Sequence, residues 1–142
     1  ALARVRRETG ARILADDICF NLSDARELIH NQCCDAISVY PGKNGGIIRS
    51  RQIVDLAAEH GIPCSIGSNL EYDVATAAMG HLVVSHLNME VEKIPGDLLG
   101  PDYHEQRIAR NPIQIEGPLT TLNDMPGLGV ELDWDTLCSQ VD

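Results

Sequence analysis

The sequence predicts an α/β fold in which parallel strands alternate with helices. Short apolar runs begin near residues 13, 36, 63 and 88, a recurrence of roughly 25 residues that accommodates one strand, one helix and two short loops. Between the runs, apolar residues recur at helical spacing. Each of the first three runs ends in loop punctuation: Asp16-Asp17, Pro41-Gly42 and Gly67-Ser68.

The elements follow in order. Residues 1–10 read as the last turns of a helix stopped by Gly10. The run Ile13-Leu14-Ala15 leads into Asp16 and Asp17. Asn21-Leu22-Ser23-Asp24 then supplies a helix start, with Ala25, Leu28, Ile29 and Cys33 on one stripe. Residues 36–40 form the second strand, and Lys43-Asn44-Gly45-Gly46 reads as a loop. A helix over about 48–59 buries Ile53, Leu56 and Ala57 before His60-Gly61 closes it. Residues 63–67 are the third strand, and Asp73 opens an Ala-rich helix to about 86. There Ala75, Ala77, Ala78 and Gly80 allow close packing on the sheet. Residues 88–92 are the fourth strand. From Pro95 the rhythm gives way to Pro- and Gly-punctuated loops with short strand-like pieces, and residues 134–141 form a final helical turn or two. The boundary is placed between 1–95 and 96–142.

Composition narrows the classes. A chain of 142 residues suits one domain with a real core. A net charge of −10 argues against nucleic acid and anionic membrane as partners. No apolar run reaches the ~20 residues of a membrane-spanning helix. Five cysteines, two of them adjacent at Cys33-Cys34, make neither a disulfide framework nor a metal-spaced set. A reducing, cytoplasmic setting is expected. The five histidines sit at helix ends, in a loop, or, for His81 and His86, five residues apart and therefore on different helix faces.

The carboxyl ends of buried parallel strands open into the ligand-binding mouth of such a sheet. Asp16 and Asp17 stand at one of those ends, and neighbours on a strand point to opposite faces. Asp16 is therefore read as the metal or substrate carboxylate and Asp17 as its supporting neighbour, with a loop-capping role for Asp17 as the alternative.

Together these segments resemble the enolase superfamily, in the type that includes muconate-lactonizing enzymes and mandelate racemase. The resemblance runs through Ile13 to Asp17, Ile37 to Tyr40 with Lys43-Asn44-Gly45-Gly46, Gly67-Ser68-Asn69-Leu70-Glu71, Gly96-Asp97-Leu98-Leu99-Gly100-Pro101, and the closing Pro-Gly-Leu-Gly-Val-Glu-Leu-Asp. It implies the second half of a modified TIM barrel: four βα-type units, strands five to eight, over 1–95. The final barrel loop and a return segment toward a capping domain occupy 96–142. It implies Mg²⁺ with Asp16 as one of three carboxylate ligands, the other two lying on strands this chain lacks. The implied chemistry is removal of a proton alpha to a substrate carboxylate, with the metal stabilising the enolate.

Two residues depart from the pattern, in which a Lys on the sixth strand pairs with the Glu of an Asp-Glu motif. Here Tyr40 stands at that Lys and Asp17 at that Glu. A phenol is a good donor and a poor base at neutral pH, so one-base cycloisomerisation or dehydration is favoured, with Tyr40 as acid. A racemase or epimerase of the same superfamily is the alternative, and a non-catalytic α/β interaction module stands outside it. Lys43 is a conceivable substitute base but reads first as a solvated turn residue. Asp97 corresponds to an acid near the substrate or forms a turn. Ser68, Asn69 and Glu71 are expected at the substrate, although Asn69 and Glu71 can equally cap the following helix. The expected partners are a small carboxylate substrate, the N-terminal half of the same enzyme and further copies in a homo-oligomer. A half barrel exposes unpaired strand edges, so the chain is not expected to fold cooperatively by itself.

Overall fold

The computed structural model describes residues 1–139. Helix α1 (Leu2–Thr9) ends at Gly10, whose left-handed backbone (φ +68°) lets its amide reach the Arg6 carbonyl at 3.0 Å. Arg6 anchors this helix to the sheet. Its guanidinium donates to Asp35 Oδ1 at 2.6 and 2.9 Å, while Asp35 Oδ2 accepts from the Ile13 amide at 2.9 Å. The Arg6 hydrogen bond, followed by that from Ile13, holds the Asp35 carboxyl below its ordinary value. A depressed carboxylate pKa stabilises the fold above the unfolded-state value, and that stability is lost as pH falls through the folded one. Hydrogen exchange in α1 and at the Ile13 amide is therefore expected to accelerate selectively below about pH 4. Uniform exchange across the sheet would refute the anchoring role.

Strands β1 (Leu14–Ala15), β2 (Ala36–Val39) and β3 (Cys64–Ile66) form one parallel sheet in the order β1-β2-β3. Leu14 pairs with Ala36, and Ile37 with Cys64. The central strand β2 is buried along its whole length, as an apolar strand covered on both faces must be. Helix α2 (Leu22–His30) begins with a capping box: Asn21 Oδ1 accepts the Ser23 and Asp24 amides, and Asp24 Oδ2 accepts the Asn21 amide. The Pro41-Gly42-Lys43-Asn44 stretch, expected as loop, closes into the short helix α3 (Pro41–Asn44). Helix α4 (Ile47–Glu59) follows it. Ile53, Val54 and Ala57 of α4, Ala25 and Leu28 of α2, and Met79 and Leu82 of α5 (Asp73–Ser85) pack with Ala15, Ile37, Val39, Cys64 and Ile66 into one core.

The expected fourth strand is reduced to a single parallel bridge between Met89 and Cys64. Glu90 already accepts amides from Lys93 and Ile94 in a turn, so the ladder stops. The chain then comes back onto β3, where the Asp97 amide donates to the Ile66 carbonyl at 3.0 Å. Only glycine permits that return, because a Cβ on Gly96 would lie 2.5–2.8 Å from Ile66 side-chain and carbonyl atoms. No helix follows. A 3₁₀ turn, Gly100–Tyr103, takes its place, so three complete strand–helix units are present among the described residues rather than four.

Past that turn come the antiparallel hairpin β4 (Gln114–Glu116) and β5 (Leu119–Thr121), then helix α6 (Trp134–Ser139). The end of the expected last helix, 140–141, lies outside the described residues. Gly80 serves this region rather than the sheet: a Cβ there would meet Leu122 at 2.6 Å. Among the described residues no strand pairs beyond the Met89 bridge, and the exposed Val84, Leu87 and Leu119 line one cavity with Met89. Among the described residues no helix is long and apolar enough to cross a membrane.

Candidate functional site

The three parallel strands end side by side, and the loops that leave them converge on one aromatic ring. Tyr40 leaves β2 with its side chain buried, and its hydroxyl donates a short hydrogen bond to Asp16 Oδ1 at the end of β1. The opposite wall is Gly67, just past β3, where a Cβ would fall 2.1–2.6 Å from atoms of the Tyr40 ring. Gly67→Ala is accordingly expected to push the ring off Asp16 and cost about 1–3 kcal/mol, the usual range for overpacking. Chemical denaturation would measure it.

Lys43 completes the cluster. Its ammonium lies 3.8 Å from the Tyr40 ring centroid, donates to the Asp16 carbonyl at 3.0 Å and sits 3.5 Å from Asp17 Oδ1. The Lys43 side chain is only 9% exposed and that of Asp17 84%. The reading of Lys43 as a solvated turn residue is thus corrected, because the α3 turn folds its stem back over the phenol. The pairing also differs from expectation: Tyr40 binds Asp16, and Asp17 reaches Lys43 instead. Asn44, which sequence inspection passed over, ties the two loops together. Its Oδ1 accepts the Tyr40 amide at 2.7 Å, and its Nδ2 donates to the Cys19 and Phe20 carbonyls. The Asn-Gly-Gly pattern announced only a turn, and its contact with residues 19–20 depends on the fold.

Burial, and then the hydrogen bond to Asp16, push the Tyr40 hydroxyl up to about 12. It is a protonated donor at neutral pH. Asp16 Oδ2 takes no hydrogen bond from the described residues. A hard carboxylate oxygen at a strand rim, with its partner oxygen already fixed, suits one corner of a Mg²⁺ site. One corner is all this chain offers, since among the described residues no group of three or more His, Cys, Asp or Glu side chains could hold a metal.

Ser68, Asn69 and Glu71 come together as a closed knot. Glu71 Oε2 accepts from Ser68 Oγ at 2.7 Å and from the Asn69 amide at 2.8 Å, and Ser68 Oγ accepts the Leu70 amide. Leu70 is held at φ +63°, a left-handed conformation that costs a bulky residue energy and that the knot enforces. Glu71 Oε1 lies 3.5 Å from the point a Cβ on Gly42 would occupy, so the knot abuts the Tyr40 loop. Asp97 forms a turn, its Oδ1 accepting the Leu99 amide at 2.9 Å. His86 binds Asp55 and His81 the Leu128 carbonyl, away from these loops, whereas His104 binds the Leu70 carbonyl of the knot at 2.7 Å.

Asp73, expected only to open its helix, is fully buried. It accepts two hydrogen bonds from the Arg107 guanidinium and one from the Ile113 amide at 3.0 Å. Arg107 also donates to Asp102 and to the Ile113 carbonyl. The pair fastens the C-terminal segment to the base of α5. Nothing in local sequence marks it, because 34 residues separate the partners.

Known proteins are similar to this chain in sequence and in fold. A chloromuconate cycloisomerase of Pseudomonas putida is 31% identical over 96% of this chain and 36% of its own length. An N-succinyl-L-Arg/Lys racemase of Bacillus cereus is 30% identical over 96% of the chain and 36% of its own. The crystal structure of that racemase superposes with a TM-score of 0.89 at 28% identity, covering 98% of this chain and 36% of that one. Muconate lactonizing enzyme from Pseudomonas putida gives a TM-score of 0.90 at 25% identity, covering 97% and 38%. The chain thus spans little more than a third of the length of these relatives. The family model for enolase C-terminal domain-like proteins matches residues 1–136. This chain belongs to the enolase C-terminal domain-like family, with a fold similar to the C-terminal part of the barrel of muconate-lactonizing enzymes.

Proposed function

We propose that the chain supplies one side of an active site at which a proton alpha to the carboxylate of a small substrate is removed, leading to cycloisomerisation or loss of water. The observation that carries this reading is the Asp16–Tyr40 contact at the carboxyl rim of three parallel strands. Bound at Asp16, Mg²⁺ would supply the positive charge that makes such a proton removable. Tyr40 holds a proton at its hydroxyl through neutral pH and delivers it to the product side. Asp17 keeps Lys43 in place at the rim. Ser68, Asn69, Glu71 and Asp97 shape the wall of the loops beside the substrate, the side chains of Ser68, Glu71 and Asp97 already accepting loop amides.

The base and the remaining metal ligands come from a preceding N-terminal half, which packs on the open edge beside Met89 and closes the barrel over residues 1–95. Residues 96–142 return toward a capping domain, and the assembled enzyme is a cytoplasmic homo-oligomer. The free thiols of Cys19, Cys33, Cys34, Cys64 and Cys138 fit a reducing compartment.

A second reading, racemisation or epimerisation, is favoured by the similarity to the Bacillus cereus racemase. Incubating the full-length protein with candidate carboxylates in D₂O, with and without Mg²⁺, tests both. Deuterium in a lactone or dehydrated product supports the first, and deuterium in the opposite enantiomer of the substrate supports the second. The absence of any Mg²⁺-dependent exchange would leave a non-catalytic module as the better account.

A further inference from the structure

Three loops of different origin meet through one cation. Lys43 touches the Tyr40 ring on its own loop and the Asp16 carbonyl and Asp17 carboxylate on another, while Gly67 of the third packs directly against the same ring. A lysine side chain only 9% exposed gives up much of its contact with water and is tolerated when such partners replace it. Here the partners also fix a direction. With the ammonium 3.8 Å from the ring centroid and Gly67 close enough to the ring to leave no room for a Cβ, the ring is held where its hydroxyl donates to Asp16 Oδ1. The same ammonium holds the Asp16 backbone through its carbonyl, so main chain and carboxylate of one residue are gripped together.

We propose that Lys43 is a positioning residue for Asp16: it clamps Tyr40 and the Asp16 carbonyl so that the free Asp16 oxygen, Oδ2, is presented to a divalent cation. The inference rests on the reading of Asp16 as a metal ligand given above. Lys43 acts through Tyr40 and is not itself a base. Groups that support a ligand from outside in this way typically contribute 10–100-fold to metal affinity.

The test is calorimetric titration of Mg²⁺ into the full-length protein, with melting temperatures in chelator as the control for folding. K43M keeps the apolar stem and is expected to weaken Mg²⁺ binding about tenfold or more. Y40F should weaken it similarly, and the K43M/Y40F double variant no further than either alone, because both changes cut one linkage. K43R, which retains a cation able to stack on the ring, should recover most of the lost affinity at a wild-type melting temperature, and it carries the test should K43M fold poorly. Unchanged or tighter binding in K43M, equal losses in K43R and K43M, or full additivity with Y40F would each overturn the role of Lys43 while leaving the metal reading intact. If D16N binds Mg²⁺ as the unsubstituted protein does, the metal reading itself falls, and this inference with it.

Discussion

Asp16→Asn in the full-length protein is expected to lower Mg²⁺-dependent exchange of the substrate alpha proton by on the order of 10³-fold, since a bound metal contributes several kcal/mol to stabilising the charge that develops. The substitution is informative because it removes charge and little else. An asparagine keeps the size of the side chain, and its Oδ1 still accepts the Tyr40 hydroxyl, so the contact that orders the rim survives. Asp17→Asn is the matched control. Its side chain is 84% exposed and, among the described residues, reaches only Lys43, at 3.5 Å, so an effect within about tenfold, or 1.4 kcal/mol, is expected. A larger loss at Asp17 than at Asp16 would reverse the assignment of the two acids.

Asp73→Ala is expected to destabilise the fold by about 3–5 kcal/mol, the range for breaking a buried ion pair from one side. The carboxylate is fully buried, and removing it strands the Arg107 guanidinium and the Ile113 amide together. The Arg107 side chain keeps 27% exposure and a second partner in Asp102, so part of its charge can be rehydrated, which places the effect toward the lower end. Arg107→Met leaves the opposite charge behind in a site with no access to water and should cost at least as much. A double substitution of both residues by apolar ones should cost well under the sum of the two, because no uncompensated charge remains. Urea denaturation of the four proteins gives the coupling directly. Additive costs would show that the pair does not function as a unit.

The period of strands and helices was legible because it depends on neighbours in sequence. Gly10, Asn21 with Asp24, and the stripes of Ala25 and Leu28 on α2 and of Ile53 and Ala57 on α4 act within a turn or a single helix face, and each appears where its spacing puts it. The fourth strand was misjudged for the complementary reason. Residues 88–92 carry a strand-like pattern, but whether a strand extends depends on what lies alongside. Here the turn at Glu90 and the return of Gly96 onto Ile66 end the pairing after one bridge.

The same division runs through the site. The pair of acids closing the first apolar run and the glycines punctuating the later ones carry part of the resemblance to the family, and strand alternation puts one of the two acids at the rim. Tertiary structure alone decided that Tyr40 bonds Asp16 rather than Asp17, that Lys43 lies over the ring instead of in solvent, and that Asp73 meets Arg107. These contacts join side chains brought together only by the packing of separate loops. Their energies depend on burial and direction, and neither quantity is encoded by the residues flanking any one of the partners.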